Sequence, residues 1–142
     1  MEFRDLKRQY QALKEEIDAS VREVMEKANF ISGAQVKKLE DELANYVGVK
    51  HCISCANGTD ALELALIAWG IGKGDAVFVP DFTFFSSAEV ISRIGATPVF
   101  VDVLEDTFNI SPDSLEEAVS CVLKEGKLRA KAVISVDLFG MP

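Results

Sequence analysis

Histidine is almost absent from this 142-residue chain, with His51 standing alone. Together with the neighbouring Cys52 and Cys55 it falls short of the four ligands of a closed zinc site, so no metal is expected. Cysteine is scarce and odd in number: Cys52, Cys55 and Cys121 suit a reducing compartment better than a disulfide framework. The run Cys52-Ile53-Ser54-Cys55 has thioredoxin-type spacing. Its first cysteine is expected inside a strand, however, and not at the helix N-terminus that would lower a thiol pKa. Long apolar runs are lacking too. The longest, Ala61 to Ile71, is interrupted by Glu63 and Gly70 and falls well short of a membrane span. Basic charge is in deficit, with 15 Lys and Arg against 23 Asp and Glu and a net charge of −8, so no basic stripe offsets phosphate repulsion and nucleic acid is not expected as a partner. Met1 leads straight into charged helical sequence without a signal-peptide core, which makes the cytoplasm the expected compartment.

What is present reads as a globular α/β chain of about one domain, 49% hydrophobic and 27% charged. Leu6, Tyr10, Leu13, Ile17, Val21 and Val24 recur at spacings of three and four, which predicts an amphipathic helix over 5–27. Phe30-Ile31-Ser32-Gly33 follows as an apolar loop with a glycine hinge, placed either to cover a core edge or to line a pocket. Val36, Leu39, Leu43 and Tyr46 predict a second helix that ends at Gly48. From residue 51 strand and helix alternate. Strands are expected at 51–54, 76–80, 97–102 and 132–136, with helices over 59–69, 88–94 and from Ser111-Pro112 onward, where serine caps and proline takes the first position. The 59–69 helix is apolar around most of its circumference, which predicts burial nearly all round. Such alternation indicates a mostly parallel sheet with right-handed crossovers. Ending on a strand without its covering helix suggests the N-terminal part of a larger protein.

Two stretches carry candidate chemistry. Asn57-Gly58-Thr59-Asp60-Ala61 joins a strand to a helix, where unpaired N–H groups and the helix dipole favour an anion. Gly58 allows close approach, Thr59 adds a hydroxyl, and Asn57 or Thr59 can cap the helix. Phe82-Thr83-Phe84-Phe85 places three rings beyond the carboxyl end of a strand, where ligands of open parallel sheets bind and where core filling is the other reading. Gly70-Ile71-Gly72-Lys73-Gly74-Asp75 follows a helix and precedes a strand, the wrong order for a dinucleotide loop. It reads as a helix cap and a turn.

Several segments together resemble the DegT/DnrJ/StrS group of pyridoxal-phosphate-dependent sugar aminotransferases. They are Asp5-Leu6-Lys7, Phe30-Ile31-Ser32-Gly33 with Leu39-Glu40, Ala56 to Leu62, Gly70 to Asp75, Pro80 to Phe84, Gly95 to Asp102 and Asp106 to Ile110, in a match running from Phe3 to Pro142. The resemblance implies an α/β fold: the N-terminal part of a type I aminotransferase-like large domain, with N-terminal helices over 1–50 and the start of the cofactor-binding part over 51–142. It implies that pyridoxal 5'-phosphate is held by backbone amides around Gly58, Thr59 and Asp60, with the Thr59 hydroxyl helping and the Asp60 carboxylate turned away from the phosphate. Phe84 matches the aromatic that stacks on the pyridine ring. Phe30, Ile31, Ser32 and Gly33 are candidates for lining the substrate. No catalytic residue is carried over, because the family's Schiff-base lysine and pyridine aspartate lie beyond the point matching Pro142. The chain alone is therefore expected to bind the cofactor weakly or not at all and to be inactive. Asp137 stands where family members commonly carry histidine.

The implied function of the full-length parent is transfer of an amino group, from glutamate, to a nucleotide-linked keto sugar, by a homodimer. A dehydratase or deoxygenase of the same family, and a non-catalytic regulator or association module on the same fold, are the alternatives.

Overall fold

The computed structural model describes residues 4–141; Phe3 and Pro142, the two ends of the resemblance, lie outside the described residues. The chain divides into two compact units, residues 1–54 and 55–142. In the first, α1 (Leu6–Lys27) starts where the Asp5 carboxylate accepts the Arg8 N–H at 2.9 Å and stops at Ala28 in a left-handed conformation. Helix α2 (Ala34–Val47) ends at Gly48, also left-handed. Pairs four residues apart, Lys14–Asp18, Glu23–Lys27 and Lys37–Asp41, decorate the exposed faces of both helices, where solvent screens them.

Three expectations for this unit need correction. Gly33 is not a hinge: its φ is −69°, the left-handed turn is made by Ser32 at φ 50°, and a Cβ at Gly33 would lie 2.9 Å from the Asn29 carbonyl oxygen. Close approach of backbone, not conformational freedom, is what requires glycine there. Phe30 and Ile31 cover no core edge, being 63% and 86% exposed. Residues 51–54 form no strand. They have the composition for one, but a strand needs a ladder, and the Ser54 N–H is taken by a side chain instead.

That side chain is Glu40. Its Oε1 accepts both the backbone N–H and the hydroxyl of Ser54, each at 2.9 Å. These two bonds hold the Glu40 carboxyl below the usual carboxylate range. The contribution is therefore complete above the unfolded glutamate pKa of about 4.3 and is lost as pH falls through the lower folded value. Amide exchange at Ser54, followed by NMR from pH 6 to pH 3, should lose its protection at the acid end. In Glu40→Ala the protection should be absent throughout.

In the second unit, α3 (Gly58–Ala68), β1 (Asp75–Pro80), α4 (Ser86–Arg93), β2 (Thr97–Val101), α5 (Pro112–Glu125) and β3 (Arg129–Val133) follow in order. The sheet is wholly parallel with strand order β2-β1-β3. Strand β1 is buried along its whole length, since helices pack on both faces. Val77 and Val79 meet Leu66, Val90 and Ile91 on one side. Ala76 and Phe78 meet Val101, Leu115, Val119 and Val122 on the other. Full burial of residues such as Val77, Phe78 and Val79 stabilises the fold by about 1.5–3 kcal/mol each.

The last strand begins three residues earlier than its apolar pattern predicts. The register passes from Ala76↔Ala130 to Val77↔Ala132, so Lys131 bulges out. Ala130 and Ala132 would share a face in a regular strand, yet they pack into opposite clusters. A period-two reading misses a strand whose parity changes midway.

Helix α3, expected to be buried nearly all round, is covered only in part among the described residues. Leu66 is buried and Leu62 packs half-buried against the core, while Leu64 and Ile67 are each 51% exposed and Trp69, just past the helix, is 71% exposed. Only one stripe of the helix finds apolar neighbours among the described residues.

Candidate functional site

Helix α3 runs back along the sheet before the turn at residues 69–74 feeds β1, and Leu62 and Leu66 pack onto the strand cluster. This topology puts the N-terminus of α3, the end of β1 and the loop after β3 at the carboxyl end of a parallel sheet. In such sheets that is where ligands bind.

The start of α3 is built by Asn57. Its backbone is extended, its Oδ1 accepts the Asp60 N–H at 2.9 Å, and its carbonyl accepts the Ala61 N–H at 3.1 Å. Its Nδ2 lies 3.2 Å from the Asp60 Oδ2, which turns that carboxylate back onto the cap. The cap is thus Asn57 and not Thr59. Among the described residues nothing accepts the N–H groups of Gly58 and Thr59, the first two of the helix. A Cβ at Gly58 would meet nothing within 4 Å, and its φ is not in the left-handed range. Nothing in the local fold demands glycine at position 58; open space over two unpaired donors is what its small size preserves.

The Asp60 amide is a different matter. Assigned by resemblance to the phosphate, it is already committed to the Asn57 side chain, and the two donors left over are those of Gly58 and Thr59. Cys55 belongs to the same corner: its Sγ donates to the Asn57 carbonyl at 3.2 Å.

At the end of β1 the three phenylalanines separate. Phe82 packs against Phe108 with centroids 5.3 Å apart, and Phe108 meets Phe139 edge-on at 5.4 Å. Phe84 and Phe85 are 73% and 75% exposed. Thr83 and Ser87 share a hydroxyl contact at 3.1 Å, and the Ser87 N–H reaches the Phe84 carbonyl at 3.0 Å, so the backbone under the Phe84 ring is fixed although the ring is not covered.

The aromatic trio was not legible as a unit in the sequence. It depends on Phe108 adopting φ 59°, a conformation costly for a bulky residue, inside a small loop closed by the Val103↔Ile110 bridge. Asn109 ties this loop to the chain end by donating Nδ2 to the Met141 carbonyl at 2.8 Å. Only the motif Asp106-Thr107-Phe108-Asn109 could have pointed there. Asp137 is exposed and opens a turn in which its carbonyl accepts the Gly140 N–H at 2.9 Å. Phe30 to Gly33 belong to the other unit and are joined there by no other candidate residue. Among the described residues no three His, Cys, Asp or Glu side chains gather as metal ligands, and no helix is long and apolar enough to cross a membrane.

Comparison with known proteins bears on the family and the fold. The model of the DegT/DnrJ/EryC1/StrS aminotransferase family matches residues 11–142. The chain belongs to that family. Among its relatives is the UDP-2-acetamido-2-deoxy-3-oxo-D-glucuronate aminotransferase of Pseudomonas aeruginosa, 45% identical over 140 residues, a match covering 99% of this chain and 37% of that protein. A family aminotransferase from Brucella abortus has a crystal structure that superposes with a TM-score of 0.94 at 46% identity, over 100% of this chain and 38% of its own. NtdA from Bacillus subtilis, solved with bound cofactor PMP, has a TM-score of 0.80 at 30% identity, over 90% of this chain and 28% of its own. The chain thus spans 28–38% of the length of these family members, and within that span its architecture is that of the family's pyridoxal-phosphate-dependent aminotransferases.

Proposed function

We propose that this chain forms the cofactor-seating part of an aminotransferase that moves an amino group, from glutamate, to the keto group of a nucleotide-linked sugar. The observation that carries the reading is the start of α3, with two unpaired amide donors, an adjacent hydroxyl and an open Gly58. The N–H groups of Gly58 and Thr59 and the Thr59 hydroxyl hold the phosphate of pyridoxal phosphate. Asp60 contributes through the cap: its amide fixes Asn57, and its carboxylate, drawn to the Asn57 Nδ2, keeps its charge off the phosphate. Phe84 offers a ring, fixed at its backbone and free at its face, to the pyridine. When bound, the cofactor supplies the electron sink that amino-group transfer requires. The same reading makes the protein a cytoplasmic homodimer.

Thr59→Ala tests the seat. In the full-length parent, loss of one hydroxyl bond is expected to cost about 1 kcal/mol, roughly fivefold in the dissociation constant for pyridoxal phosphate, with the circular dichroism spectrum unchanged. An unaltered affinity, measured by fluorescence titration, would remove Thr59 from the site.

A further inference from the structure

The start of α4 holds two hydroxyls that the cofactor reading does not use. Serine and threonine at a helix start ordinarily accept a backbone N–H as a cap. No side chain caps α4: the position before the helix falls on Phe85, whose backbone is already helical at φ −50° and ψ −39°. Thr83 and Ser87 bond each other instead, with their hydroxyl oxygens 3.1 Å apart. Ser87 is only 5% exposed, and Thr83 is half-buried. A buried hydroxyl needs a partner, whereas alanine at position 87 would need none and would favour the helix. Neither capping nor helix formation therefore accounts for the pair.

The pair encloses Phe84. The Phe84 carbonyl accepts the Ser87 N–H at 3.0 Å, so Ser87 grips the chain twice, at Phe84 through its amide and at Thr83 through its hydroxyl. Ser87 lies on the buried side of α4 together with Val90 and Ile91. At the other end of the segment the Asp81 N–H is held by the Val101 carbonyl at 2.9 Å, where β2 stops. The backbone from 81 to 87 is thus tied to the core on both sides of a ring that is itself exposed. Packing does not call for such rigidity, because the Phe84 ring does little for the fold.

We infer that Thr83 and Ser87 are positioning residues, whose mutual hydroxyl bond fixes the Phe84 backbone so that the ring stands in place for the pyridine of pyridoxal phosphate before the cofactor arrives. A ring that must be ordered on binding subtracts that ordering from the affinity, and a ring already placed does not. The hydroxyls act through Phe84 and make no bond of their own to the cofactor.

This positioning role rests on the stacking role proposed for Phe84 and adds the residues that hold it. A thermodynamic cycle in the full-length parent separates the two, with the dissociation constant for pyridoxal phosphate read by fluorescence titration and the ring geometry by the visible circular dichroism of the bound cofactor. Thr83→Val, which keeps the branched shape and loses the hydroxyl, should weaken binding about three- to tenfold and reduce the visible circular dichroism. Thr83→Ser should restore both. Ser87→Ala should match Thr83→Val, and the two together should lose no more than either alone, since each breaks the same bond. In a Phe84→Ala background Thr83→Val should change the dissociation constant by less than about 1.5-fold, because the ring it positions is gone. An equal loss in both backgrounds, or a Thr83→Val parent that binds like the wild type, would overturn the positioning role and keep the stacking role. A Phe84→Ala parent that binds like the wild type would remove the stacking role and the positioning role with it.

Discussion

Asp75→Ala is expected to destabilise the second unit by about 1–3 kcal/mol, because removing one partner of a buried polar contact leaves the other unsatisfied. Asp75 begins β1 and is 1% exposed. One carboxylate oxygen accepts the Gly72 N–H at 3.0 Å, closing the turn that feeds the strand. The other makes no well-angled hydrogen bond and is met by the Arg129 guanidinium, with Nε 2.8 Å away, across the first pair of the β1–β3 register. The carboxylate thus fastens the turn before the central strand to the start of its later neighbour. For a unit of this size the melting temperature should fall by roughly 5–20 °C. Arg129→Ala should also destabilise, because it leaves the buried Asp75 carboxylate oxygen without the cation that meets it. Melting curves of the two single variants and the double variant give the coupling directly. If Asp75→Ala melts with the wild type, the carboxylate contributes nothing and the turn is held by its backbone alone.

Phe84→Ala should leave the melting temperature within about a degree of the wild type and weaken pyridoxal phosphate binding by about 1–3 kcal/mol, the range for aromatic stacking on flat heterocycles. That corresponds to roughly five- to 150-fold in the dissociation constant. The contrast between fold and affinity carries the argument. Phe84 is 73% exposed, so its ring does little for the fold, whereas Phe82 two residues earlier is packed in the aromatic trio and should affect stability. Phe84→Tyr, which keeps a ring, should restore most of the affinity. Equal affinity in Phe84→Ala and wild type would take the ring out of the site.

The capped, open helix start at Asn57-Gly58-Thr59 was legible because its geometry is local. A cap, a small residue and a hydroxyl at a helix start lie within four positions, and the apolar turns of α3 and strand β1 flank them. The two unpaired amides follow from helix geometry alone. Which residue caps was not legible, because Asn57 and Thr59 both can, and the choice is made by the reciprocal contact with Asp60.

Failures occurred where a residue's state depends on something distant in sequence. Among the described residues, 51–54 have strand composition but no ladder beside them, and α3 is apolar all round yet covered along one stripe. Lys131 reverses the parity of its strand, and Phe108 reaches Phe82 and Phe139 only from a left-handed backbone. Composition reports what a segment tolerates, and contact decides what it does.

The strand order has a temporal consequence. Strand β1 pairs first with residues 21 positions later, Ala76 with Thr97, and then with residues 54 positions later, Asp75 with Arg129. At a synthesis rate of 5–20 residues per second, Asp75 exists for roughly 3–10 s before the cation that meets it has been made. During that interval one edge of the most buried strand in the molecule is open on the nascent chain. An interruption of synthesis between Val101 and Arg129 would leave a sheet of two strands with an unpaired apolar edge, the species most exposed to wrong pairing and to capture by chaperones.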